Sequence, residues 1–159
     1  MPKSFEELLS ELKSESEVKR KNAAAEFGRL KDERAVSPLI EALGDPGMAV
    51  RDNAAYALGE LRAEDAAPVL IKLLKDKEEW VRKSAAKALG MIGQRSAVSA
   101  LVSLMEDPSY IVRKSAVRSL GQLGGPEAAR ALERALKDPS VVVQEHAKEA
   151  LLKLKPARH

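Results

Sequence analysis

Cysteine is absent from this sequence, so neither a disulfide nor a thiolate metal site can form. Histidine occurs only at His146 and His159, which leaves no histidine–carboxylate cluster with metal-ligand spacing, and no metal is expected. Glycine and proline are too few for collagen or low-complexity disorder. No run approaches the roughly 18 consecutive apolar residues of a membrane span. The opening residues 1–13 lack the apolar core and small-residue cleavage site of a secretion signal. A reducing, cytoplasmic setting with no membrane contact is therefore expected. The glycines do not form a phosphate loop after a strand, and Ser84 and Ser115 have no base that sequence places beside them. No catalytic residue, no enzyme activity and no cofactor are expected.

What remains is a helix-forming mixture. Alanine, leucine, glutamate, lysine and arginine dominate, charged residues make up 32% and aromatics only 3%. At 159 residues the chain is one domain by length, and its formal charge of +3 permits an acidic partner without requiring one.

At an offset of 31 residues the chain aligns with itself end to end without a gap. Arg20, Arg51, Arg82 and Arg113 share one column, Gly28, Gly59, Gly90 and Gly121 a second, and Asp45, Asp76, Asp107 and Asp138 a third. Alanine fills a column at Ala23, Ala54, Ala85, Ala116 and Ala147, and leucine does so at Leu8, Leu39, Leu70, Leu101 and Leu132. This yields a single domain over 1–155, in repeats 1–31, 32–62, 63–93, 94–124 and 125–155, with a tail at 156–159.

Each unit reads as two helices. Phe5, Leu8, Leu9 and Leu12 follow i, i+3, i+4, i+7 spacing, one apolar stripe of an α-helix, and Ser4 with Glu7 suits a capping box. First helices are expected near 4–13, 35–44, 66–75, 97–106 and 128–137. Second helices are expected near 17–30, 48–61, 79–92, 110–123 and 141–154. The Asp-Pro steps at Asp45-Pro46, Asp107-Pro108 and Asp138-Pro139 suit the start of a second helix, where a missing N–H costs nothing. A lone hairpin, wet on both sides, buries too little apolar area to offset its ordering entropy, so the units must stack. The glycines inside the second helices imply close backbone approach. In the fifth unit Lys148 and Leu152 replace a small residue and the glycine, which marks that helix as a cap.

The stretches DPGMAVRDNAAYALGEL and DERAVSPLIEALGD resemble HEAT repeats, of the short class named after phycobilisome bilin lyases, and the resemblance covers all five units. It implies an all-α superhelix, a HEAT-like solenoid of five helix hairpins, whose second helices line a concave binding surface. The gapless period is also similar to artificial proteins built from this repeat's consensus, whereas framework departures such as Gly44, Met105, Glu133 and Arg62-Ala63 favour a natural prokaryotic protein. The deoxyhypusine hydroxylases of this repeat class depend on His-Glu dipeptides. Here only Glu145-His146 occurs, in the wrong order, and that activity is not expected.

The arginine column could be a basic stripe for phosphates or a ladder of ion pairs with the aspartate column. The ends decide for the ladder. Aspartate is missing in unit one (Ser14) and arginine in unit five (Gln144), so pairing each arginine with the next unit's aspartate, Arg20–Asp45 through Arg113–Asp138, leaves no orphan.

With the core columns set aside, the second helices expose a strip. Unit two supplies Met48, Ala49, Asp52, Asn53, Tyr56 and Glu60. Unit three supplies Glu79, Trp80, Lys83, Ser84, Lys87 and Met91, and unit four Tyr110, Ile111, Lys114, Ser115, Arg118 and Gln122. Three of the five aromatics, Tyr56, Trp80 and Tyr110, fall on it, beside Lys83, Lys87, Lys114 and Arg118. Glu17, Glu145 and Glu149 flank the basic middle, and His146 reads as an exposed polar residue. Exposed Trp, Tyr and Met beside cations suit a partner-binding surface, here Tyr56, Trp80, Lys83, Lys87, Met91, Tyr110, Lys114 and Arg118. The expected function is a non-catalytic protein-binding scaffold or adaptor whose partner is another protein, through an acidic or hydrophobic segment. Nucleic-acid binding is the alternative, weakened by the acidic residues on the same strip. A bilin-lyase-like subunit and an engineered scaffold stand further behind.

Overall fold

The computed structural model describes residues 1–154. The expected domain limit at 155, the 156–159 tail and His159 lie outside them. The chain is an all-α solenoid. Its helices run α1 (Phe5–Leu12), α2 (Glu17–Leu30), α3 (Val36–Ala42), α4 (Met48–Glu60), α5 (Ala67–Leu73), α6 (Glu79–Ile92), α7 (Val98–Ser103), α8 (Tyr110–Leu123), α9 (Pro126–Ala135) and α10 (Val141–Leu154). No helix among the described residues is long and apolar enough to cross a membrane.

The even-numbered helices stack directly on one another, and the odd-numbered helices form a second, looser layer beside them. Side-chain size explains the difference. Ala23, Ala54, Ala85, Ala116 and Ala147 are fully buried, and the interleaved glycines admit the next helix to backbone contact. A methyl group built on Gly28 would sit 2.9 Å from the Ala57 Cα, and one on Gly59 2.9 Å from the Ala88 Cα. Larger side chains fill the space between layers: the leucine column (Leu8, Leu39, Leu70, Leu101, Leu132) and a second column of Phe27, Leu58, Leu89 and Leu120 are buried.

The second helices fall where the periodicity puts them, to within one residue. The first helices are shorter than expected. Three of them are preceded by a single 3-10 turn (Glu33–Ala35, Glu64–Ala66, Arg95–Ala97) that ends on a fully buried alanine. The fifth unit differs: Gly124 (φ 68°) and Gly125 (φ 93°) break the chain sharply, Pro126 opens the helix, and α9 starts two residues before the expected 128.

Ser4 and Glu7 form the reciprocal capping box, with Glu7 N–H donating to Ser4 Oγ at 3.1 Å and Ser4 N–H to Glu7 Oε2 at 2.7 Å. The prolines of the Asp-Pro steps sit in the turn that leads into the second helix, as expected. Gly47 caps α4 and Ser109 caps α8, one residue after each proline. At the far end Lys148 is exposed and ion-paired to Glu145 at 3.0 Å, and Leu152 is 68% exposed.

Candidate functional site

The frame of the second-helix layer is a ladder of arginines. Arg20, Arg51, Arg82 and Arg113 each donate through Nε and Nη2 to the aspartate 25 residues on, at 2.7–3.1 Å. The same guanidinium donates Nη1 to two carbonyls of its own turn, as Arg51 does to Asp45 O (2.9 Å) and Pro46 O (3.1 Å). Each aspartate also accepts an N–H two residues on, such as Gly47 N–H on Asp45 Oδ1 at 2.8 Å. One guanidinium thus ties two units together and shapes the turn before its own helix. Gln144 keeps only the carbonyl half, donating to Asp138 O at 2.7 Å.

Burial by itself would raise the Asp45, Asp76 and Asp138 carboxyls. The arginine forks and turn N–H groups outweigh it and hold all three below the ordinary carboxylate range. These arginines are engaged and do not present a free cationic stripe.

Free cations lie further along the same helices. Lys83 and Lys87 on α6, and Lys114 and Arg118 on α8, form no ion pair among the described residues. The aromatics stand beside them. Lys83 Nζ lies 5.2 Å from the Trp80 ring centre, and Lys87 Nζ lies 4.8 Å from that of Tyr56, one unit earlier. A hydrogen bond with Glu60, aided by burial, pushes the Tyr56 hydroxyl above the usual phenol range. Tyr56, Trp80 and Tyr110 are 42%, 43% and 47% exposed, although each is large enough to pack away if space existed. Phe27 is fully buried and Phe5 half-buried against it, with ring centres 5.3 Å apart. Carboxylates bound the basic middle: Asp52 and Glu60 on α4, Glu145 and Glu149 on α10.

Some strip residues are not where the periodicity places them. Ser84 and Ser115, expected on the exposed strip, are buried. Their column turns into the cleft toward the preceding second helix, which the small residues bring close. Asn53 of the same column donates Nδ2 to Lys21 O at 3.2 Å, and the Ser84 hydroxyl donates to Asp52 Oδ1. His146, also of this column, is half-buried rather than exposed, with Nδ1 2.8 Å from Val142 O. Met91 is half-buried, its sulfur beside Gly59. Ser119, which periodicity does not single out, lies buried and donates to Ala86 O at 2.6 Å. The only signal for it is a hydroxyl in a column that holds alanine at Ala57, Ala88 and Ala150 and glutamate at Glu26.

The sequence matches the family model described as HEAT repeats over residues 5–90 and again over 68–152. No curated protein matches it in sequence. Among solved structures it is similar to the complex of CpcE and CpcF of phycocyanin lyase from Nostoc sp. PCC7120, at 30% identity and a TM-score of 0.86, over 97% of this chain and 66% of that one. It is also similar to a designed armadillo repeat protein in complex with the peptide (KR)4, at 25% identity and a TM-score of 0.74, over 93% of this chain and 80% of that one. Its likeness to human deoxyhypusine hydroxylase, at 17% identity and a TM-score of 0.55, is one of fold alone.

Proposed function

The chain belongs to the HEAT-repeat family, and from that membership we propose that it is a non-catalytic, cytoplasmic scaffold that holds a segment of another protein across its inner face. One repeat domain over 1–155 forms the body of this proposal. The observation that carries it is the coincidence on α4, α6 and α8 of three half-exposed aromatics with four cations that have no carboxylate partner among the described residues. Aromatic side chains left in water beside unpaired cations are typical anchors of a protein interface. The likeness to a designed armadillo protein that holds (KR)4 supports a peptide as the occupant. The cations on this face carry the same sign as (KR)4, so the segment that fits it is instead acidic, with apolar residues for Trp80 and Tyr110 and carboxylates for Lys83, Lys87, Lys114 and Arg118.

A second reading, a subunit of a lyase complex, rests on the likeness to the phycocyanin lyase pair, of which this chain spans 66% of the matched chain. It shares the first reading's demand for a protein partner on this face. Nucleic acid is disfavoured because Asp52, Glu60, Glu145 and Glu149 border the cations.

The test is fluorescence anisotropy with a labelled peptide alternating glutamate and leucine, beside labelled (KR)4 and duplex DNA. The acidic peptide alone should bind. Joint replacement of Trp80, Lys87 and Arg118 by alanine should abolish binding while circular dichroism keeps its helical signal. A duplex shift at about 50 mM salt with a steep salt slope would instead favour nucleic acid. Peptide binding unchanged by the triple replacement would move the site elsewhere.

A further inference from the structure

Between α6 and α8 lies a niche of about 60 Å³, lined by Lys87, Met91, Ser115, Arg118, Ser119 and Gln122. That is several times the roughly 10–15 Å³ that one water needs on the same measure. Two serines form its floor and they are not equivalent. Ser119 spends its hydroxyl on Ala86 O. Ser115 is 7% exposed, yet its hydroxyl has no hydrogen-bond partner among the described residues. A hydroxyl that makes no hydrogen bond to the described residues yet still reaches solvent through the niche, flanked by two cations without ion pairs among those residues, is a donor open to a ligand.

The preceding interval, between α4 and α6, shows what this register binds. Ser84 stands one repeat before Ser115, and its hydroxyl donates to the carboxylate of Asp52. The residue in the corresponding register to Ser115 is Lys83, which has no carboxylate to offer. Where the chain supplies its own carboxylate the serine is satisfied. Where it supplies a lysine, the serine and Arg118 face the open niche, and Lys87, whose Nζ lies 4.8 Å from the Tyr56 ring centre, lines the same niche with no carboxylate partner among the described residues.

We propose that Ser115, Lys87 and Arg118 form a carboxylate seat between α6 and α8 that takes a glutamate or aspartate side chain of the bound segment. This rests on the reading of the inner face as a protein-binding surface, and it adds one fixed point to it. The seat sets the register of an acidic segment, because among the described residues only one interval offers a serine without a carboxylate partner and two cations together. Asp52 closes the interval before it, and in the interval after it the corresponding pair is Lys114 and His146, with Glu149 in place of the second cation. A phosphate polymer suits the seat less well than a single carboxylate, since Asp52 and Glu149 bound it on either side.

The probe is labelled hexaglutamate, titrated into the full chain. Ser115→Ala removes no charge and should weaken binding by about three- to tenfold, the loss of one hydrogen bond to a charged group. Lys83→Asp supplies the carboxylate that Asp52 gives Ser84, plugs the seat, and should weaken binding by more than tenfold. Lys83→Gln removes the charge without the plug and should cost markedly less. Asp52→Lys frees Ser84, opens a second seat and should tighten binding. Equal binding by the wild type, Ser115→Ala and Lys83→Asp would overturn the seat while leaving the face intact. Failure of the wild type to bind any acidic peptide would overturn both.

Discussion

Arg51 and Asp76 lie 25 residues apart and meet as a two-pronged fork, Nε donating to Oδ2 at 2.9 Å and Nη2 to Oδ1 at 3.1 Å. Both side chains are about nine-tenths shielded from water. The repeat therefore has two kinds of glue. Apolar stacking is non-directional, whereas the fork is satisfied in one geometry alone.

Removing one partner leaves the other charge buried without compensation. Arg51→Ala should destabilise the fold by about 2–4 kcal/mol, read as a fall in the urea midpoint. The double variant Arg51→Ala/Asp76→Ala should cost less than the sum of the single variants. Strict additivity would mean that the fork contributes nothing.

The depressed Asp45, Asp76 and Asp138 carboxyls predict acid sensitivity. A carboxyl whose folded pKa lies below its unfolded value contributes stability that is fully present above the unfolded value, near about 4, and is lost as pH falls through the folded one. The melting temperature should change little from about pH 7 to 5 and fall steeply below about pH 4. Asp76→Asn should be less stable at neutral pH and show a shallower acid limb. A midpoint independent of pH down to about 3 would contradict this.

The glycine column should resist alanine despite alanine's better helix propensity. A methyl group on Gly28 would meet Ala57 backbone and side chain at 2.9 Å, contacts that only movement of a whole helix can relieve. Overpacking of about 1–3 kcal/mol outweighs the roughly 1 kcal/mol that alanine gains in a helix. Gly28→Ala should be destabilising on thermal unfolding. Gly44→Ala, whose added carbon would meet only Glu41 O at 3.5 Å, should be near neutral. Equal midpoints for the two would remove close approach as the reason for the column.

A residue just past the second helix adopts positive φ in four successive units, at Lys31 (53°), Gly93 (83°) and Gly124 (68°) directly after α2, α6 and α8, and at Arg62 (51°) two residues after α4. Two units use glycine there and two tolerate the strain of a side chain. Arg62→Gly should raise stability by about 0.5–1 kcal/mol, and Gly93→Arg should lower it by a similar amount. An unchanged or lower midpoint for Arg62→Gly would show that the Arg62 side chain contributes more than its backbone costs.

Periodicity alone determined the architecture of this protein. A 31-residue step with alanine, glycine and leucine in constant columns leaves one way to bury them, and the arginine and aspartate columns identify their partners through the gaps at Ser14 and Gln144. The reason is that every interior unit has the same environment, so a column read once is read throughout. Tertiary structure decided what lies at the edges of that regularity. It turned the Ser84 and Ser115 column into the cleft, ended the first helices early, and gave Ser84 a carboxylate while leaving Ser115 without one. Those outcomes depend on which side chain from one helix reaches across to the next, at a separation of 32 residues rather than 31. A contact that runs diagonally between columns is set by helix spacing and rotation, and these exist only once the stack has formed.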